Sequence, residues 1–192
     1  MRMLRPIAAG LLACASVAQA DSPRPATLPF ALGGAYSLTD QHGAHRSQAD
    51  PQNHAQLLFF GYANCPGICS AAMPLMADVT DALAARDMAV TPVMITIDPA
   101  RDTVDTMAAP LADLHPAFVG LTGDTAALQA AWRAFSVEHN LAYVDPEHGP
   151  VYSHGSLIYL LDGAGVVQTI IPPVLDAAAA AQIVLTYTAP NG

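Results

Sequence analysis

From Gln56 to Tyr62 the chain is continuously apolar after its first residue, the pattern of a strand buried on both faces of a sheet. Val90 to Ile97 repeats that pattern and ends at Asp98-Pro99, and Phe118 to Leu121 is a shorter third run. Helical spacing separates them. Ser70 to Ala85 places Met73, Met76, Val79, Ala82 and Leu83 on one face, with Pro74 near the start, where proline is tolerated. Thr103 to Leu114 predicts a second helix that Pro110 should kink or split. Asp124 or Thr125 caps a third, running to about Phe135. Leu157 to Leu161 and Val166 to Ile171 flank Asp162-Gly163-Ala164-Gly165, a hairpin signal, and Asp176 caps a last helix from Ala177 to about Tyr187. Upstream, Phe30 to Thr39 has short-strand character and Asp40-Gln41-His42-Gly43 supplies a turn. His45 to His54 and Val137 to Pro150 are polar and predict loops, the second with turns at Asp145-Pro146 and His148-Gly149-Pro150.

This order predicts an α/β fold of thioredoxin-like type, a mixed central β-sheet flanked by helices. No internal repeat and no linker between two cores interrupts it. The folded domain is expected over residues 30–188, after a proline-rich flexible lead-in at 21–29.

Composition narrows the function. With 192 residues and 53% hydrophobic side chains, the chain can bury one full core, and no apolar run reaches the length of a membrane span. A net charge of −9, with no lysine, argues against a nucleic-acid partner. Residues 1–20 have the form of an export signal: Arg2 and Arg5, an apolar stretch from Ile7 to about Val17, then Ala18-Gln19-Ala20 as a small-x-small cleavage site. Losing those two arginines and no acid takes the mature chain from −9 to −11. The alternative is a lipoprotein signal in which Leu11-Leu12-Ala13-Cys14 makes Cys14 the lipidated residue, but it would leave a rather short signal. Either way the protein is expected outside the cytoplasm, in the periplasm, soluble or held to the membrane by a lipidated or uncleaved N-terminus.

Export leaves Cys65 and Cys69 as the cysteines of the mature domain. They follow the first buried strand, with Pro66 and Gly67 between them. If they occupy i and i+4 of the first helical turn, both sulfurs fall on one face, and helix N-terminal amides make the thiols more acidic than free cysteine. In an oxidising compartment such a pair forms a disulfide unless it is reduced or metal-bound. A staple usually joins distant segments, because a short closed loop gains little from cross-linking, so the pair is expected to work as a redox-active disulfide or as a soft-metal site.

At these residues the chain resembles the Sco/SenC copper metallochaperones. Phe60-Gly61-Tyr62 leading to Cys65-Pro66-Gly67-Ile68-Cys69 is similar to the family signature, and three further segments agree in order. These are Thr96 to Thr103, Gly120-Leu121-Thr122-Gly123, and Tyr152-Ser153-His154 followed by Ile158 to Asp162. The resemblance implies copper, Cu(I) and also Cu(II), on Cys65, Cys69 and His154. It implies delivery to the copper centre of cytochrome c oxidase subunit II or another copper-accepting protein, or reduction of that target's cysteines, with a thiol reductant as a further partner. The chain departs from the family at Ser70, where proline is common, at Gly67, where an acid is common, at Gly155 after the histidine, and in lacking a Gly-Lys before the first strand. No departure removes a ligand.

The other residues admit plainer roles. Asp98 and Asp102 fit a strand-end turn and a helix cap, Asp98 also lying where it could tune a copper site, and Arg101 pairs with nearby carboxylates. Met73 and Met76 fit the core better than a second copper contact. His42, His45, His54, His115, His139 and His148 fall in predicted loops without metal-ligand spacing. The competing function is a thioredoxin-type thiol–disulfide oxidoreductase using Cys65 and Cys69. Its redox pair normally has two intervening residues, not three, and a proline where Ser153-His154 stands here. A thiol peroxidase would need an arginine and a threonine around Cys65, and the sequence offers no such arrangement. Copper transfer is not catalysis in the usual sense, so no enzymatic reaction is assigned.

Overall fold

The computed structural model describes residues 28–50, 53–63, 65 and 69–188; the expected signal at 1–20, Cys14 and nearly all of the lead-in lie outside the described residues, as does the side chain of Cys69. Among the described residues the architecture is a mixed seven-stranded sheet with four helices and a separate two-stranded ribbon. The strands are β1 (Ser37–Asp40), β2 (His45–Ser47), β3 (Gln56–Gly61), β4 (Thr91–Thr96), β5 (Val119–Thr122), β8 (Ile158–Leu161) and β9 (Val167–Ile171). They lie in the order β2-β1-β5-β4-β3-β8-β9. β3, β4 and β5 run parallel at the centre; β1 and β8 join antiparallel on either side. Every residue of β3 and β4 is buried, as their unbroken apolar runs require.

The helices are α1 (Cys69–Ala84), α2 (Val104–Leu114), α3 (Thr125–Ala134) and α4 (Ala177–Thr188). α1 packs on β3, β4, α2 and α4; α2 packs on β5, and α3 on β1. Met73, Met76, Val79 and Leu83 are buried on α1, which places both methionines in the core. Asp124 caps α3 by accepting the Ala127 amide at 2.8 Å, and Asp176 caps α4 by accepting that of Ala179 at 2.7 Å. In the hairpin between β8 and β9, Asp162 Oδ1 accepts the amides of Ala164 and Val166 at 2.9 and 3.0 Å.

Several expectations are corrected. Pro110 does not split α2, which runs through it from residue 104 to 114. Its cap is Thr103 rather than Asp102: the Thr106 hydroxyl accepts the Thr103 amide at 2.8 Å and meets the Thr103 hydroxyl at 3.1 Å. His45–Ser47 is a strand, not part of a loop, because the Asp40 turn folds it back along β1. There Asp40 Oδ1 accepts the amides of His42 and Ala44, both at 2.9 Å, and Oδ2 accepts Arg46 Nε at 2.8 Å. The region 137–150, expected as loop, instead supplies β6 (His139–Asp145) and the start of β7 (Gly149–His154), which pair antiparallel as the ribbon. β6 is mostly exposed, so it lacks the apolar alternation that marks a half-buried strand. The two turn signals do close the ribbon, with Gly149 at φ +75°, a conformation glycine adopts without penalty.

Candidate metal centre

The site forms where β3 ends. Tyr62 follows the strand with 1% of its surface exposed, and the Ile97 amide donates to the Gly61 carbonyl at 2.8 Å. The next amide, Ala63 N–H, is held by the buried carboxylate of Asp102 at 3.0 Å. Two residues later comes Cys65, half-buried against the core. Cys65 itself is not helical and α1 is described from Cys69; the expectation that both thiols share one helical turn falls on residues 66–68, outside the described residues.

His154 arrives from the other direction. β8 runs antiparallel to β3, so the residues just before β8 return to the same end of the sheet. His154, the last residue of β7, meets the ring of Phe59 edge-on at 5.7 Å and that of Tyr62 at 6.1 Å. Its Nδ1 donates to the Gly155 carbonyl at 2.9 Å. A carbonyl only accepts, so Nδ1 carries the proton and Nε2 is the acceptor nitrogen of the neutral ring. The ring borders a cleft of about 410 Å³ whose lining includes Phe60, Glu138, Asn140, Ser153 and Tyr159.

A polar knot underlies both pieces. Asp102 Oδ2 accepts the Thr96 hydroxyl at 2.8 Å as well as Ala63 N–H, and the Thr122 hydroxyl donates to the Asp102 carbonyl at 2.9 Å. Burial pushes the Asp102 carboxyl above its usual range, partly opposed by the bonds from the Thr96 hydroxyl and Ala63 N–H. Asp98, also buried, pairs with Arg101 Nε, as expected of that arginine. Arg101 then reaches across to the ribbon, donating from Nη1 to the His148 carbonyl and from Nη2 to that of Pro150, each at 2.6 Å. Its guanidinium lies 5.3 Å from the centre of the Tyr62 ring.

The structure thus brings His154 onto Tyr62, three residues before Cys65, and gives Asp98 and Arg101 places beside them. Among the described residues, which exclude the Cys69 side chain, no group of three or more His, Cys, Asp or Glu forms a metal cage. His139, expected in a loop, sits on β6 directly opposite His154, its ring 4.4 Å from that of Trp132. Burial, with a smaller contribution from His154, holds its pKa below the ordinary value. The other histidines lie elsewhere: His54 Nε2 meets the Thr91 hydroxyl at 2.5 Å, and His115 pairs with Asp81 at 3.2 Å. Sequence reasoning missed the anchoring by Asp102 and the reach of Arg101. The residue type of Asp102 was visible; its burial was not.

Chemically, a thiol and an imidazole whose basic nitrogen is Nε2 form a donor set suited to a soft or borderline metal such as copper, and a second thiol would shift it towards Cu(I).

The sequence model of the family SCO1/SenC matches residues 24–189. "Protein SCO2 homolog, mitochondrial" from Homo sapiens is 35% identical over 135 residues, covering 69% of this chain and 51% of the relative. A SCO2-like protein from Rickettsia felis is 32% identical over 136 residues, covering 70% and 66%. The chain spans about half the length of the mammalian relatives it matches. Among solved structures, Bradyrhizobium japonicum ScoI with copper bound superposes with a TM-score of 0.73 at 29% identity, covering 82% of this chain and 99% of that one. The fold is therefore thioredoxin-like, as the element order predicts.

Proposed function

The chain belongs to the SCO1/SenC family, and we propose that it is an exported copper metallochaperone, with copper as its cargo. Cys65, Cys69 and His154 are the ligands in this reading. Two thiolates hold Cu(I), and His154 Nε2 completes the set and helps it accept Cu(II). His154 borders an open cleft, so it is the ligand an incoming donor can displace first, passing the metal by stepwise exchange. The acceptor is the copper centre of cytochrome c oxidase subunit II or another copper-accepting protein. With the thiols metal-free, the same pair would instead reduce the acceptor's disulfide, becoming oxidised itself and needing a thiol reductant for recovery.

One observation carries the reading: the β3 end that leads to Cys65 and the β7 end that carries His154 meet through the Tyr62 ring. The resemblance to a copper-bound ScoI supports the choice of metal. An anaerobic copper titration of the fully reduced domain, with His154→Ala alongside, tests it. One tightly held copper, weakened or spectrally altered by the substitution, is expected. No tight copper together with a readily cycled disulfide would move the assignment to a thiol–disulfide oxidoreductase.

A further inference from the structure

Among the described residues, the ribbon that carries His154 does not pair with the central sheet. Something must fix its angle, since a two-stranded ribbon alone is marginal in water. At the tip, Arg101 donates to the carbonyls of His148 and Pro150, on either side of Gly149. A Cβ at Gly149 would lie 3.2 Å from Arg101 Nη1, so the turn is shaped to admit the guanidinium. Further along, the Tyr152 amide donates to the Tyr62 hydroxyl at 3.4 Å. The third donor of Arg101, Nε, is bound to Asp98, whose carboxylate is 2% exposed at the end of β4. One planar group therefore joins the rigid sheet, the ribbon tip and the face of Tyr62.

We propose that Arg101 is the positioning residue for His154, locking the β6–β7 ribbon so that the imidazole is presented beside the Cys65 segment. The inference rests on the copper reading for its purpose and on the geometry for its existence. Pro150 and His154 are four residues apart, about 13 Å along a strand. A small rotation at an unlatched tip becomes a displacement of the ligand larger than a coordination bond tolerates. Lysine cannot substitute, because a single ammonium cannot reach the Asp98 carboxylate and two carbonyls with the fixed fork of a guanidinium.

The test uses Arg101→Ala and Arg101→Lys, the latter keeping the charge beside Asp98 and Tyr62 should the alanine variant fold poorly. In the metal-free reduced domain, hydrogen exchange of the ribbon amides should quicken at least about tenfold in either variant, while β3 amides such as Leu58 and Phe59 keep their protection. With copper, Cu(II) affinity should fall about 10–100-fold and the Cu(II) spectrum move towards that of His154→Ala. Cu(I), carried by the thiolates, should weaken far less. In a His154→Ala background Arg101→Ala should cost no further Cu(II) affinity, since both act through one ligand. Unchanged ribbon exchange, or losses that simply add in the double variant, would overturn the proposal. A parent protein that binds no copper would sink the metallochaperone reading and leave the exchange measurement to decide the latch.

Discussion

Asp102→Ala is the substitution whose cost can be worked most directly from the structure. The Asp102 side chain is 1% exposed and Thr96 0%, so no solvent can replace the bonds they share. Removing the carboxylate strands two donors, Ala63 N–H and the Thr96 hydroxyl, each worth about 1–3 kcal/mol when left unsatisfied. Against this stands relief from burying a charge, which is why the carboxyl is pushed above its usual range. The net expectation is a loss of about 2–4 kcal/mol, measured by urea denaturation of the reduced, metal-free domain. Both donors converge on the same oxygen, Oδ2, so the amide oxygen of Asp102→Asn can accept both and should cost under about 1 kcal/mol. The pH dependence separates the two variants further. A folded-state pKa above the ordinary carboxylate value means that the folded protein binds this proton more tightly than the unfolded chain. The resulting stability is complete below the ordinary carboxylate value and is lost as pH rises through the raised one. The parent should therefore lose stability relative to Asp102→Asn across that window. An alanine variant within about 0.5 kcal/mol of the parent, or an asparagine variant as damaged as alanine, would refute the argument.

Other outcomes follow from single contacts. Asp40→Ala should cost about 2–4 kcal/mol, because it strands two turn amides and the Arg46 guanidinium. Burial works against the Asp40 charge, but those bonds win and hold its pKa low, so the stability it contributes is present above 3.8 and should fade as pH drops through the depressed value, seen as an acid-side fall in midpoint that the alanine variant lacks. Gly165→Ala should destabilise by about 1–3 kcal/mol in the same assay, since φ is +79° there and a Cβ would collide with the Gln48 backbone. Trp132→Phe removes the Nε1–H donated to the Thr96 carbonyl at 3.1 Å, and thermal unfolding should show a loss of about 1–2 kcal/mol.

What the sequence made legible divides along physical lines. β3, β4 and their helices declare themselves because burial on both faces demands long apolar runs, and capping residues such as Asp124 act within three residues of themselves. The turn at Asp145 to Gly149 was legible for the same local reason. The strands around it were not, since β6 is exposed except at its ends, and the half-buried residue at its start, His139, faces His154 of β7 rather than an aliphatic. Cys65 and His154 were singled out by residue type and motif, but the approach of His154 to the Tyr62 ring depends on antiparallel pairing of β8 with β3, which is long-range. Asp102 was assigned the wrong local role. A cap and a buried anchor use the same side chain, and only the approach of Ala63 from another segment decides between them. Arg101 was correctly paired with a carboxylate, while its contact with residues 148 and 150 crosses nearly fifty positions of sequence.

The most direct test of the central claim is X-ray absorption at the copper edge on the reduced domain loaded anaerobically with one equivalent of Cu(I), beside His154→Ala. Two sulfur scatterers and one imidazole nitrogen are expected, with the nitrogen lost in the variant and both sulfurs kept. A copper site lacking either sulfur, or an imidazole signal that survives His154→Ala, would contradict it.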